Sequence, residues 1–117
     1  MAPMIAPRPL NDPRPGQWMI RCCRRCPPVA ARIWVCEVEP GTDNPVDQPY
    51  LQGQIGLDLV PPTEVWHCRG HPISLIEFYH RVAWLRWAER NAPDDPRFKY
   101  RTPVAIEAIP IPRWSAP

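Results

Sequence analysis

Nineteen prolines in 117 residues constrain this chain more than any other feature. Proline lacks an amide hydrogen and holds φ fixed, so it interrupts helices and is kept out of central strands. The prolines crowd Met1 to Pro15 and Pro93 to Pro117, and neither end can therefore form a long helix or a central strand. Residues 1–15 are expected as a flexible arm, with Pro7-Arg8-Pro9 and Pro13-Arg14-Pro15 favouring polyproline II. Residues 92–117 are expected as a tail in which 104–109 adds an edge strand that Pro110 stops. One small domain is left, at residues 16–91. A domain of that size buries a modest share of its surface. Six tryptophans partly compensate, since each can bury roughly 150–250 Å².

The clearest element inside that window is a helix over 74–91. Ser74 stands as N-cap with Glu77 three residues on, a capping box in which each residue satisfies an amide of the other. Asn91-Ala92-Pro93 closes it. At 100° per residue, Leu75, Phe78, Tyr79, Val82, Ala83 and Leu85 form an apolar arc, which Ile76 and Trp87 extend. Glu77, Arg81 and Ala88 lie opposite, and Trp84 falls among them, one turn beyond His80. A tryptophan on the polar face of a rigid helix is an expected binding anchor, because tryptophan is enriched at interface hot spots. The plainer alternative is that the proline-rich tails cover it.

The rest of the window reads as strands. Gln17 to Cys23 alternates with Trp18, Ile20 and Cys22 on one face. Val29 to Val38 alternates likewise, and the two form a hairpin with a loop of about five residues. Pro40 to Pro45 is a loop by composition. A third strand is expected over Leu51 to Val60, curled or bulged at Gly53 and Gly56, and a fourth over Thr63 to Cys68. The expected fold is α+β: a curled antiparallel sheet of about four to five strands with one main helix packed on it.

Fourteen basic residues against twelve acidic ones give a net charge of +2, which gives little support to a dedicated nucleic-acid binder. Such a reading would use Arg21, Arg24, Arg25 and Arg32 beside Trp18 and Trp34. No apolar run approaches a membrane span and no secretory signal is evident, so a cytoplasmic location is expected. Five cysteines, an odd number, then read as thiols or metal ligands rather than as a disulfide framework. Cys23-Arg-Arg-Cys26 with Cys68-Arg-Gly-His71 has the pair spacing of a tetrahedral zinc site, which would staple a weak core. Catalysis is not expected. His67, His71 and His80 are the only histidines, and neither a nucleophile elbow, a phosphate-cradling glycine loop nor a metalloprotease helix motif is present. The tail segment Ile109-Pro110-Ile111-Pro112-Arg113-Trp114 is a preformed extended peptide suited to docking on an aromatic groove, its own or another protein's.

Several short motifs resemble a group of small uncharacterised phage and prophage proteins of alphaproteobacteria. They are Gly16-Gln17-Trp18-Met19-Ile20-Arg21, Pro28 to Trp34, Val65-Trp66, and Gly70-His71-Pro72-Ile73-Ser74-Leu75-Ile76-Glu77-Phe78. The chain departs from the group at Cys22 to Cys26 and at His71, which weakens the zinc reading. The resemblance implies no known chemistry. It implies a phage accessory protein, a class that often acts by binding and blocking host machinery, CRISPR-Cas and other defence systems included. The expectation is accordingly a protein that binds a host protein in the bacterial cytoplasm without cofactor. Its expected contact residues are Trp84, His80, Arg81 and Glu77 on the outer helix face, and Arg24 and Arg25 on the hairpin. The alternative is a zinc-stapled nucleic-acid-binding module using Cys23, Cys26, Cys68 and His71.

Overall fold

The structure, a computed structural model, describes residues 12–103. The expected edge strand at 104–109 and the tail motif at 109–114 lie outside the described residues. Among the described residues five strands form one open antiparallel sheet: β1 (Gly16–Ile20), β2 (Val29–Val38), β3 (Pro45–Ile55), β4 (Asp58–Val60) and β5 (Arg69–Pro72), in the order β4-β3-β2-β1-β5. Two helices join them, α1 (Pro62–Cys68) and α2 (Leu75–Asn91). A 3-10 turn follows at Pro96–Phe98. The α+β class and the main helix are as the sequence suggests, and most of the differences concern where elements begin and turn.

β1 is shorter than expected. It stops at Ile20, so Cys22 and Cys23 belong to the connection to β2 rather than to the strand. The expected third strand is two strands, because Gly56 at φ 57° reverses the chain into β4. β3 also starts earlier, at Pro45, since the turn at Glu39 to Asn44 closes with a Glu39 amide to Asn44 carbonyl bond of 2.8 Å. Prolines 45 and 49 fit there because β4 pairs only with Gly53 to Ile55, which leaves the earlier half of β3 as an edge. The fourth strand expected at Thr63 to Cys68 is instead α1. Pro62 sits in its first turn, where a fixed φ suits a helix and no amide is needed. β5 follows and covers β1, with its proline tolerated at the edge.

Strand alternation sends the core to both faces of the sheet. Ile20, Val29, Ala31, Ile33 and Ile55 pack with Val65 of α1 on one side. Met19 and Ala30 pack with Phe78 and Val82 of α2 on the other. α2 is thus seated by a narrow seam. Ser74 caps it, its hydroxyl accepting from the Glu77 amide at 3.0 Å. The reciprocal half of the capping box is absent, because the Glu77 carboxylate accepts two bonds from Arg81, at 2.9 and 3.1 Å.

The segment after α2 is clipped to the β3–β4 turn. The Tyr100 hydroxyl accepts from the Leu57 amide at 3.0 Å and donates to Asp58 at 2.7 Å, and Arg101 donates to the same carboxylate at 3.1 Å. Burial, and then the bond to Asp58, push the Tyr100 phenol up to about 12. Conversely, the Tyr100 hydroxyl holds the Asp58 carboxyl below its usual range.

Candidate functional site

The buried seam of α2 is Phe78, Val82 and Ala88, with Leu85 half-buried. This corrects the expected helix rotation in two places. Ala88, placed on the polar face, is buried, and Leu75, Ile76, Tyr79, Ala83 and Trp87, placed in or beside the apolar arc, are exposed. Trp84 is 50% exposed and Trp87 49%, so both indoles stand in solvent contact. They meet edge-on with ring centroids 5.5 Å apart. On the other side of Trp84, its indole N–H donates to His80 Nε2 at 3.2 Å. Ile76, 82% exposed, continues this ridge one turn toward the helix start. A run of apolar side chains this exposed on a helix is unusual for a lone soluble domain.

Beside the ridge, α2, the β1–β2 connection and the 3-10 turn enclose a groove of about 730 Å³. Its volume falls in the range of roughly 300–1,000 Å³ typical of ligand pockets. Met19, Ala30, Leu85 and Phe98 give it an apolar floor, and Trp84 forms part of one wall. Its polar lining is basic: Arg21, Arg24, Arg25, Arg81 and Arg97, with no carboxylate lining it among the described residues.

Local structure explains how these cations come to lie there. Cys23 and Cys26 are joined by a disulfide, and the Cys26 amide donates to the Cys23 carbonyl at 3.2 Å, so Arg24 and Arg25 occupy the exposed tip of a closed turn. Arg97 is fixed by Asp95, which caps the 3-10 turn and accepts three bonds from the guanidinium, the shortest 2.7 Å. Arg81 is held by Glu77 one turn back. Among the described residues, Arg21, Arg24 and Arg25 form no ion pair.

Four of the six residues singled out from sequence, Arg24, Arg25, Arg81 and Trp84, line this one groove. Glu77 and His80 join it through Arg81 and Trp84. Sequence reasoning missed Met19, Phe98 and Arg97 as neighbours of these residues, and grouped Arg21 with Arg24 and Arg25 only in the nucleic-acid reading. The Asp95-Pro96-Arg97 cap was a readable signal for the 3-10 turn; nothing local signalled where that turn would pack. Trp87 was misplaced because the arc of apolar residues on α2 is wider than the strip of sheet that receives it.

The other constellations come apart. Cys23 and Cys26 are bonded to each other, which corrects the expectation of thiols or metal ligands at these positions. Cys68 and His71 are exposed at the α1–β5 junction, and no group of three or more metal-ligating side chains forms among the described residues. The basic, aromatic hairpin surface is also divided. Trp18 packs edge-on against Trp66, centroids 5.8 Å apart, on the α1 face of the sheet. Arg32 lies on the α2 face between the rings of Trp34 and Tyr79, at 5.1 and 5.6 Å, and donates to the Tyr79 hydroxyl at 2.9 Å. No helix among the described residues is long and apolar enough to cross a membrane. Comparison of the chain with protein-family models, with curated proteins and with solved structures returns no match.

Proposed function

We propose that this protein acts by binding another protein through the outer face of α2, with no catalytic step. The observation that carries the reading is the exposed aromatic ridge Trp84–Trp87 standing directly beside the arginine-rimmed groove. Tryptophan and arginine are the residue types most enriched at interface hot spots, and here a rigid, capped helix presents both. His80 braces the proposed anchor, its Nε2 accepting from the Trp84 indole N–H at 3.2 Å. The resemblance to phage accessory proteins extends the reading to a host protein as partner. Blocking of a defence system such as CRISPR-Cas is the form of action that class suggests.

The test is affinity capture from host lysate with the wild-type chain and with Trp84→Ala and Trp87→Ala, compared by quantitative mass spectrometry. The expected outcome is a specific protein retained by wild type and depleted by roughly tenfold or more in each variant. Equal retention by all three chains would overturn the reading.

A further inference from the structure

The groove's own chemistry selects among kinds of partner. We propose that it takes an acidic peptide segment bearing one apolar anchor, so that the partner protein is recognised by carboxylates flanking an aromatic or aliphatic side chain. The proposal rests on the protein-binding reading above and names the part of the partner that enters the groove.

Charge complementarity is the first argument. Five arginines line the groove, and Glu77 and Asp95 engage two of them, Arg81 and Arg97. Among the described residues Arg21, Arg24 and Arg25 form no ion pair, and two of them stand on the tip of the disulfide-closed turn. Guanidinium forks bind carboxylates in bidentate fashion and hold charge at any physiological pH. The second argument is the floor. Met19, Leu85 and Phe98 form an apolar seat beside Trp84, which a string of charges alone would leave unfilled. Methionine adapts to varied side-chain shapes, which suits a peptide anchor. An occupant must therefore combine two or three negative charges with an apolar group.

A nucleic-acid strand fits less well. A run of continuous phosphates would need more free cations than the groove offers. Arg81 and Arg97 are engaged by Glu77 and Asp95, and among the described residues only Arg21, Arg24 and Arg25 of the lining arginines form no ion pair. Binding of such strands also draws on an extended basic track, and the chain's net charge is only +2. The chain's own ends are poor candidates as well. Residues 104–117 contain one acid, Glu107, against Arg113, and residues 1–15 contain Asp12 against Arg8 and Arg14.

The experiment titrates the full chain with synthetic peptides, read by fluorescence anisotropy. The probes are a peptide with Asp and Glu flanking one Phe, the same peptide with Phe replaced by Ser, the same with Lys for every acid, and a single-stranded oligonucleotide. The acidic Phe peptide binds best, the Ser peptide several-fold more weakly, and the Lys peptide shows no binding. Affinity for the acidic Phe peptide falls by roughly tenfold or more in Arg24→Glu/Arg25→Glu and falls again as salt rises. Arg24→Gln/Arg25→Gln provides a milder variant should charge reversal disturb the fold. Tighter binding of the oligonucleotide than of the acidic Phe peptide, or an unchanged peptide titration in both double variants, overturns the proposal. An unchanged titration together with loss of protein capture in Trp84→Ala rejects the acidic occupant alone and leaves the protein-binding reading standing. If Trp84→Ala and Trp87→Ala also retain full capture, both fail.

Discussion

At the scale of single residues, two side chains do different work with similar chemistry. Trp84 keeps half its surface in water. Among the described residues its polar contact is with His80 and its ring also meets the equally exposed Trp87, both on α2 itself, so little of the domain depends on it. Tyr100 is part of the fold, clamping the Leu57 amide and the Asp58 carboxylate at once. The two groups of that clamp titrate in opposite directions. Asp58 is held below its ordinary 3.8, so its contribution to stability is present above that pH and is lost as pH falls through the lowered value. Tyr100 is raised from 10.0 to about 12, so its contribution is present below pH 10 and is lost as pH rises through 12. Stability from the clamp is therefore greatest across the neutral range. Spectrophotometric titration of tyrosine ionisation should show a step near pH 12 that disappears in Tyr100→Phe. A wild-type curve complete by pH 11 would contradict this.

At the scale of elements, legibility in the sequence tracked local signals. The Ser74 cap, the Asn91-Ala92-Pro93 stop and the alternation of Val29 to Val38 each carry their cause within a few residues, and each element stands where they put it. α1 was mistaken for a strand because Thr63 to Cys68 is too short for a helical period to declare itself. The rotation of α2 was misread for a different reason. With Ile76, Tyr79, Ala83, Trp84 and Trp87 all apolar or amphipathic, the pattern does not single out one face. The choice is made by contact with Met19 and Ala30 across the sheet. The β1–β2 connection shows the same limit: Cys-Arg-Arg-Cys spacing suits a metal pair or a closed turn equally, and the structure closes the turn. Alkylation under denaturing, non-reducing conditions should accordingly modify Cys22, Cys36 and Cys68 only. Intact mass would then show three adducts, rising to five after reduction; five before reduction would contradict the disulfide.

For the molecule as a whole, the two faces of the sheet are used unequally. The α1 face is closed over by Val65 and the branched aliphatic core, whereas α2 covers its face with one seam and turns its aromatic ridge outward. That division makes the helix both a structural brace and a candidate docking edge. The candidate site was legible only in part, since Trp84, Arg81, Arg24 and Arg25 could be named from sequence. Their convergence with Phe98 and Arg97 depends on packing between elements more than forty residues apart in places, which no local pattern encodes. The central claim, that α2 rests on Phe78 and leaves Trp84 free for a partner, is tested most directly by the thermal midpoints of two truncations. Phe78 is 1% exposed, and its replacement by alanine should remove about 3–5 kcal/mol and lower the midpoint by well over 10 °C. Trp84→Ala should stay within about 0.5 kcal/mol, a shift of no more than about 4 °C. A fall in Trp84→Ala comparable to that of Phe78→Ala would place the indole in the core and remove the docking surface.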